Sequence, residues 1–329
     1  MIRNRPRAVA ILVAAVAACV APLLLSDLTF FVQTVQAAIV VTGLALLMGY
    51  AGQASLGQGA FVAVGALTVA VGTTHWGLPP LLVLLLAPVV AAAFAAVVGI
   101  PLLRLQGHYL AFGTLALLLM VQTAMSSFDL LGGAYGISGI PAFGVGSWVA
   151  VGQLPYAYLA LGCLGAVLLL SARIADSRFG RSMRALAGSE TAAESAGVPV
   201  QRSKVAVFAL SASYAGLAGA VGTFFTPYVS QDSFPATASF TYVIMAVVGG
   251  LGTMWGGVVG AVMVSALLQV LNTVSSQPGL PPTAAPIMQY ATYGALLVLA
   301  LLFMPRGIVP TLDSGLGRLR TRPQVGVRA

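Results

Sequence analysis

Apolar runs long enough to cross a lipid bilayer recur along almost the whole chain. A helix that spans the hydrocarbon core, about 30 Å thick, needs about 20 predominantly apolar residues. Candidate segments of this kind lie at 8–25, 30–49, 58–74, 81–103, 109–126, 156–173, 204–225, 238–252, 256–274 and 287–304. Because polar and apolar residues do not alternate within these segments, they predict about ten transmembrane helices and not the strands of a barrel.

The scarcity of charge predicts the same class of protein. Only 7% of the 329 residues are charged and 59% are hydrophobic, whereas a soluble domain carries about 25% charged residues. So few charges cannot cover a surface that faces water. The sequence therefore predicts an all-α membrane protein in which residues 1–329 form a single transmembrane domain.

The basic residues predict how the chain is oriented in the membrane. Loops rich in Lys and Arg stay in the cytoplasm. With a cytoplasmic N-terminus and ten crossings, all 15 basic residues fall on the cytoplasmic side. Loop 174–203 and the flexible basic tail 305–329 are then cytoplasmic, and loop 127–155 lies outside. We expect both termini in the cytoplasm and a retained first helix at 1–25, not a cleaved signal peptide.

Glycines interrupt the apolar stretch 238–274 and leave its arrangement open. The stretch is either two spans or two half-helices around a re-entrant turn. Gly252, Gly256 and Gly260 follow one another at intervals of four residues. We therefore expect these glycines on one helix face, where small residues permit close helix packing.

Groups that catalysis, ion coupling or nucleotide binding would need are absent from the sequence. No Asp, Glu, Lys or Arg lies in the middle of a predicted span, where ion-coupled transporters carry relay residues. Neither paired carboxylates, nor a nucleophile with its base, nor a metal-ligand spacing is visible. The single lysine, Lys204, lacks the glycines of a phosphate-binding loop. We expect no catalytic residue, metal, cofactor or nucleic-acid partner, so the energy for transport would come from another chain.

A polar segment follows the second predicted span. Residues 49–59 contain four glycines, two glutamines and a serine. Broken helices in transporters expose backbone groups to a cavity, where these groups bind the charged ends of a substrate. The alternative interpretation is a tight helix crossing mediated by glycine. The first interpretation predicts a translocation path formed by Gly49, Gly52, Gln53, Ser55, Gly57 and Gln58.

Loop 174–203 contains the signals of a short helix. Ser189 is a favourable N-cap, and Glu190 favours the start of a helix. Gly197 and Pro199 end the helix, which predicts about seven helical residues. Because so short a helix is marginal in water, the loop is either a solvated connector or a segment held by a partner protein.

Residues of this loop resemble a known coupling motif. Glu190-Thr191-Ala192-Ala193, followed by Gly197, is similar to the Glu-Ala-Ala…Gly motif of bacterial ABC importer permeases, with Thr191 in place of an alanine. One group of these permeases, the M-type subunits of branched-chain amino acid importers, is similar to the chain at further segments. These segments are 49–61, 103–112, 136–141, 249–256 and 304–307.

The resemblance implies a fold, a membrane and a set of partners. The fold is all-α, of the large ABC-importer permease type with broken or re-entrant segments, in the bacterial plasma membrane. The implied partners are a second permease subunit (an H-type chain or a second copy), two ATP-binding subunits and an extracytoplasmic binding protein. The residues that the resemblance assigns to ATPase coupling are Arg178, Phe179, Gly180, Arg181, Arg184, Glu190, Ala192, Ala193 and Gly197.

Other functions stay open at the level of the sequence. The same kind of importer for urea, a short amide or another small polar solute fits equally, since nothing in the sequence identifies the residues that line the pore. A gradient-driven secondary transporter or a channel is the alternative of another class, and it would work without ATPase partners. An intramembrane enzyme is disfavoured because convergent catalytic groups are missing.

Overall fold

The computed structural model describes most of the chain between the first and last predicted spans. The described residues are 28–105, 107–146 and 148–275, with the short pieces 19–23, 291–292 and 294–295. Most of the predicted span 8–25, most of 287–304 and the whole tail 305–329 lie outside the described residues.

Ten helices make up most of the described structure. They are α1 (Thr29–Ala51), α2 (Gln58–Thr74), α3 (Pro80–Leu102), α4 (His108–Ser127), α5 (Leu154–Asp176), α6 (Arg178–Gly188), α7 (Glu190–Ser195), α8 (Val200–Phe225), α9 (Ala236–Gly249) and α10 (Met254–Ser275). Four two-residue strands accompany them: β1 (Ile137–Ser138), β2 (Gly144–Val145), β3 (Trp148–Val149) and β4 (Tyr228–Val229).

Six of the described helices are long and apolar enough to cross a membrane. These are α1, α3, α4, α5, α8 and the part of α10 from Trp255 to Thr273. The apolar helix α2 has 17 residues and is slightly shorter. The prediction of an all-α membrane protein is therefore confirmed, while the described residues do not establish the full number of crossings.

The stretch 238–274 contains one full-length helix and one short helix. α9 has 14 residues and is about 21 Å long, which is less than the hydrocarbon thickness of about 30 Å. Gly250 and Gly252 have positive φ angles and form the turn into α10. The prediction that Gly252 shares a helix face with Gly256 and Gly260 is therefore wrong, because Gly252 precedes the helix.

The central helix α8 packs against α1, α2 and α3. Glycines bring its backbone close to that of α2: a Cβ atom on Gly65 would overlap the carbonyl oxygen of Gly216, and a Cβ on Gly219 would overlap that of Val62. The aromatic ring of Phe61 packs edge-on against that of Phe208, with 5.3 Å between ring centroids. Helices in lipid associate through such close packing of small residues.

A second set of glycines joins α9 to α10 and α10 to α1. A Cβ on Gly260 would overlap the carbonyl oxygen of Met245, and a Cβ on Gly249 would overlap that of Gly256. On α1, Thr42 lies against Gly257, where an added Cβ would be 2.8 Å from the Thr42 Cα. Gly256 and Gly260 therefore serve helix packing, as the sequence predicted for them.

Residues 128–146 and 148–150, which we call the strap, precede α5 and so lie at the opposite end of that helix from α6. β1 of the strap pairs antiparallel with β4, with Ile137 opposite Val229 and Ser138 opposite Tyr228. The Tyr228 hydroxyl also donates a hydrogen bond of 3.0 Å to the carbonyl oxygen of Tyr135. The predicted outer loop 127–155 is thus fixed to the segment that connects α8 and α9.

Replacing Gly65 with valine tests the crossing of α2 and α8. We expect the free energy of unfolding to fall by about 1–3 kcal/mol or more, because the backbone of α8 leaves no space for a side chain. Gly162→Val on α5 is the matched control, since a Cβ there meets nothing within 4 Å. Thermal unfolding of the purified protein in detergent measures the effect. A Gly65→Val variant as stable as Gly162→Val would contradict this packing.

Candidate functional site

A break between α1 and α2, residues 52–57, packs one side against the helix bundle: Gln53, Ser55 and Gly57 are buried, while Gly52 and Ala54 are exposed. The Nε2 atom of Gln58 donates to the Ser211 hydroxyl at 3.1 Å, and Ser211 lies about 16 Å along α8 from Val200. The backbone N–H of Leu56 donates to the Thr114 hydroxyl at 2.9 Å. The break is therefore held by hydrogen bonds to two neighbouring helices at a depth well below the bundle end.

Two buried amide oxygens in this region have no hydrogen-bond partner. Gln53 and Gln58 are 5% and 0% exposed, and their Oε1 atoms are without a partner among the described residues. Leaving a buried acceptor unsatisfied costs roughly 1–3 kcal/mol. Such atoms are rare in native structures, and these two can accept hydrogen bonds from an ammonium group.

The glycines around the break serve two different purposes. A Cβ on Gly49 would overlap the backbone of Gly252, and a Cβ on Gly57 would lie 2.6 Å from the Thr114 carbonyl oxygen. Gly52 instead has a φ angle of 64°, and a Cβ there would meet nothing within 4 Å. Gly49 and Gly57 therefore serve close packing and Gly52 borders open space, while the translocation path predicted for this segment stays a prediction. Ser55 is buried among these residues.

The cytoplasmic loop predicted at 174–203 contains the short helix α7 and an unpredicted helix, α6. The Ser189 hydroxyl accepts a hydrogen bond from Ala192 N–H at 3.3 Å, and Gly197 has a φ angle of 80°. The predicted N-cap and stop of α7 are thus confirmed. The signal for α6 was available, since Ser177 caps it and the buried residues Met183 and Leu186 share one face.

Two arginines and a glycine bind α6 to the end of α5. The Arg181 and Arg184 side chains donate hydrogen bonds of 3.0 Å to the carbonyl oxygens of Asp176 and Ala175. The guanidinium of Arg184 also lies 5.6 Å from the ring centroid of Tyr50 on α1. A Cβ on Gly180 would lie 2.6 Å from the Ala175 carbonyl oxygen. These contacts connect α6 with the helix that leads into the break.

The remaining residues predicted for coupling have different environments. Phe179 is half-buried, and Arg178 is exposed without a hydrogen bond or ion pair to the described residues. On α7, Ala193 is buried against the bundle whereas Ala192 is exposed. Glu190 forms an ion pair with the buried Lys204 at the start of α8. The outer face of α7 is therefore free, while its inner face is attached to α8.

A charged cavity of about 580 Å³ lies beside this attachment. The ends of three helices line it: Arg104 follows α3, Glu194 belongs to α7, and Arg202 belongs to α8. Among the described residues, no group of three His, Cys, Asp or Glu side chains is arranged to hold a metal ion. The charged cavity thus offers polar contacts where the ends of three helices meet.

Comparison of the chain with known protein families agrees with these features of the structure. Residues 26–301 match the family described as the permease component of branched-chain amino acid transport systems. This chain belongs to that family. The branched-chain amino acid permeases are transport components, so the chain is a permease subunit and not an enzyme.

Individual permeases of known name are similar over much of the chain. The LivM proteins of the high-affinity branched-chain amino acid transport systems of Escherichia coli and Salmonella typhimurium are both 29% identical to it. The alignments cover 97% and 87% of this chain and 76% and 68% of those proteins. The L-arabinose permease AraH of Escherichia coli is 30% identical over 146 residues, 44% of this chain and 43% of AraH. No solved structure matches the chain.

These similarities confirm the resemblance of the chain to the permeases of branched-chain amino acid importers. The apolar helices and the LivM relatives together make the chain a multi-pass protein of the inner membrane. The roles of the individual residues in the break and in α6 and α7 stay predictions.

Replacing Arg184 with alanine tests how α6 is attached. We expect amide hydrogen exchange in α6 to become roughly five- to tenfold faster, because a charge-assisted hydrogen bond and a cation–π contact are lost. Arg178→Ala, on the same helix, is the matched control and should leave exchange unchanged. Equal exchange in the two variants would show that the Arg184 contacts do not hold α6.

Proposed function

We propose that this chain forms part of the translocation path of a branched-chain amino acid importer driven by ATP on separate subunits. The observation that carries the proposal is a continuous connection between α7 and the break. Glu190 on α7 pairs with Lys204 on α8. Seven residues further along α8, about 10 Å, Ser211 accepts the hydrogen bond from Gln58. A displacement of α7 is therefore transmitted along one helix to the break.

A second connection supports the same mechanism. Arg184 on α6 lies over the ring of Tyr50, which is two residues before Gly52 at the end of α1. Movement of the loop would thus act on both sides of the break at once. In this proposal an ATPase subunit binds the exposed face of α7, including Ala192 and Gly197, and closure of the ATPases moves the bundle.

The proposed complex contains several chains in a defined orientation. We place the α6–α7 end in the cytoplasm, because it carries most of the described basic residues, and the strap outside. Ten crossings would put both termini in the cytoplasm. The partners are a second permease subunit, either an H-type chain or a second copy, two ATP-binding subunits and an extracytoplasmic binding protein. The chain itself carries no cofactor in this scheme.

The chemistry of the break favours a solute with hydrogen-bond donors. The residues of the break carry no charge, and the unpartnered oxygens of Gln53 and Gln58 can accept from an ammonium group. A zwitterionic amino acid supplies such a group. The partial similarity to an L-arabinose permease supports a second candidate class, small neutral solutes with hydroxyl or amide donors.

Reconstitution of the complete importer in proteoliposomes tests the function. We expect ATP-dependent uptake of labelled leucine and little uptake of arabinose or urea. Ala192→Trp should reduce leucine uptake more than tenfold while ATP hydrolysis continues, because a bulky side chain on the exposed face of α7 prevents docking. Ala187→Trp, which alters an exposed alanine of α6, is the matched control and should retain uptake. Full transport by the Ala192→Trp variant would refute coupling through α7.

Two substitutions at Gly52 distinguish a transport role from backbone strain. Any side chain there costs roughly 1–2 kcal/mol, because the φ angle is left-handed. Gly52→Ala adds only this strain and should keep most of the uptake. Gly52→Leu also extends into the open space beside the break and should abolish uptake in an assembled complex. Equal uptake by both variants would show that Gly52 does not line the translocation path.

A further inference from the structure

A cavity of about 250 Å³ lies near the strap end of the bundle, between α1, α2, α8 and α9. It is separate from the residues assigned to the path and from the charged cavity beside α7. Its lining includes Gln36, Val62, Gly222, Thr223, Tyr228 and Tyr242. No charged side chain lines it, so the cavity suits a solute without net charge.

The segment between α8 and α9 forms one wall of this cavity. Tyr228 and Val229 of β4 line it, as does Phe234, and β4 is paired with β1 of the strap. The Gln122 side chain donates to the Phe234 carbonyl oxygen at 2.7 Å. This wall of the cavity is therefore joined both to the strap and to α4.

One polar atom at the cavity has no partner. The Nε2 of Gln36 is buried and makes no hydrogen bond to the described residues. Its amide group lies against Gly222, where a Cβ would be 3.4 Å from both amide heteroatoms. A buried donor without an acceptor costs roughly 1–3 kcal/mol. The cost is recovered when a carboxylate or carbonyl oxygen enters the cavity.

The cavity and the break lie at neighbouring levels of the same helix. Val62, which lines the cavity, follows Gln58 by four residues on α2, a rise of about 6 Å. The unpartnered atom at the cavity is a donor, and those at the break are the acceptors of Gln53 and Gln58. The cavity thus offers a hydrogen-bond donor for the carboxylate of a zwitterion, and the break offers acceptors for its ammonium group.

We infer that this cavity is a binding site for a single free amino acid, with the solute carboxylate accepting a hydrogen bond from Gln36. The inference rests on the proposed transport function and adds the position of a solute before it reaches the break. The uncharged hydroxyl groups of Thr223 and Tyr242 and the apolar Val62 complete the surroundings that an aliphatic amino acid requires.

Equilibrium binding of labelled leucine tests the site in the purified complex of permease and ATP-binding subunits, without ATP and without the extracytoplasmic binding protein, which would itself bind leucine. Gln36→Leu keeps a side chain of similar size and removes the donor, and should raise the Kd about ten- to a hundredfold. Gly222→Val fills the space beside Gln36 and should reduce binding similarly. Gly162→Val is the matched control and should bind as the wild type does.

A leucine derivative without the carboxylate distinguishes loss of the Gln36 hydrogen bond from general damage to the cavity. 3-Methylbutylamine, which is leucine without its carboxylate, should bind weakly to the wild type, and its affinity should be unchanged by Gln36→Leu. Wild-type affinity for leucine in both Gln36→Leu and Gly222→Val would overturn the site, as would equal losses for leucine and 3-methylbutylamine. These results leave the proposed function intact if the wild-type importer takes up leucine with ATP, whereas absence of that uptake refutes the function itself.

Discussion

The backbone contact between α2 and α8 is the interaction on which the rest of the structure depends. In lipid, helices gain little from burying apolar side chains against one another, because the surrounding acyl chains are equally apolar. Close approach through Gly65, Gly216 and Gly219 replaces that driving force with van der Waals contact. Since α8 also carries Ser211 and Lys204, this crossing fixes the break and the attachment of α7 to one helix.

The same rigid crossing explains how the bundle tolerates buried polar atoms without partners. Each of Gln36, Gln53 and Gln58 carries an amide atom that makes no hydrogen bond to the described residues. Side chains in a loosely packed bundle would rotate toward water or toward one another. Here, neighbouring helices hold the amide of Gln58 through Ser211 and that of Gln36 against Gly222. The unpartnered polar atoms are therefore kept in place by close helix packing and, for Gln58, by one hydrogen bond.

The sequence predicted those features of the fold and of the candidate site that depend on residues close together in the chain. The helix at Glu190 and its stop at Gly197 followed from capping residues alone, and the break followed from polar residues within an apolar stretch. The helix α6 was missed because its arginines were interpreted as topological signals and as coupling residues, and not by their spacing along a helix. The pairing of β1 with β4 joins residues about ninety positions apart. The missing hydrogen-bond partner of Gln36 Nε2 results from the packing of four helices. Neither feature could be predicted from a short stretch of sequence.

The distribution of contacts also limits which parts can move during transport. Packed interfaces shift as units because their side chains and backbones interdigitate. The glycine crossing therefore makes α2 and α8 a single body, and the Glu190–Lys204 ion pair adds α7 to that body. The contact of Gly49 with Gly252 is different, since both residues border non-helical segments with positive φ glycines. If α7 is displaced, we expect the relative movement at this contact, where the end of α1 meets the turn between α9 and α10 and where the break begins.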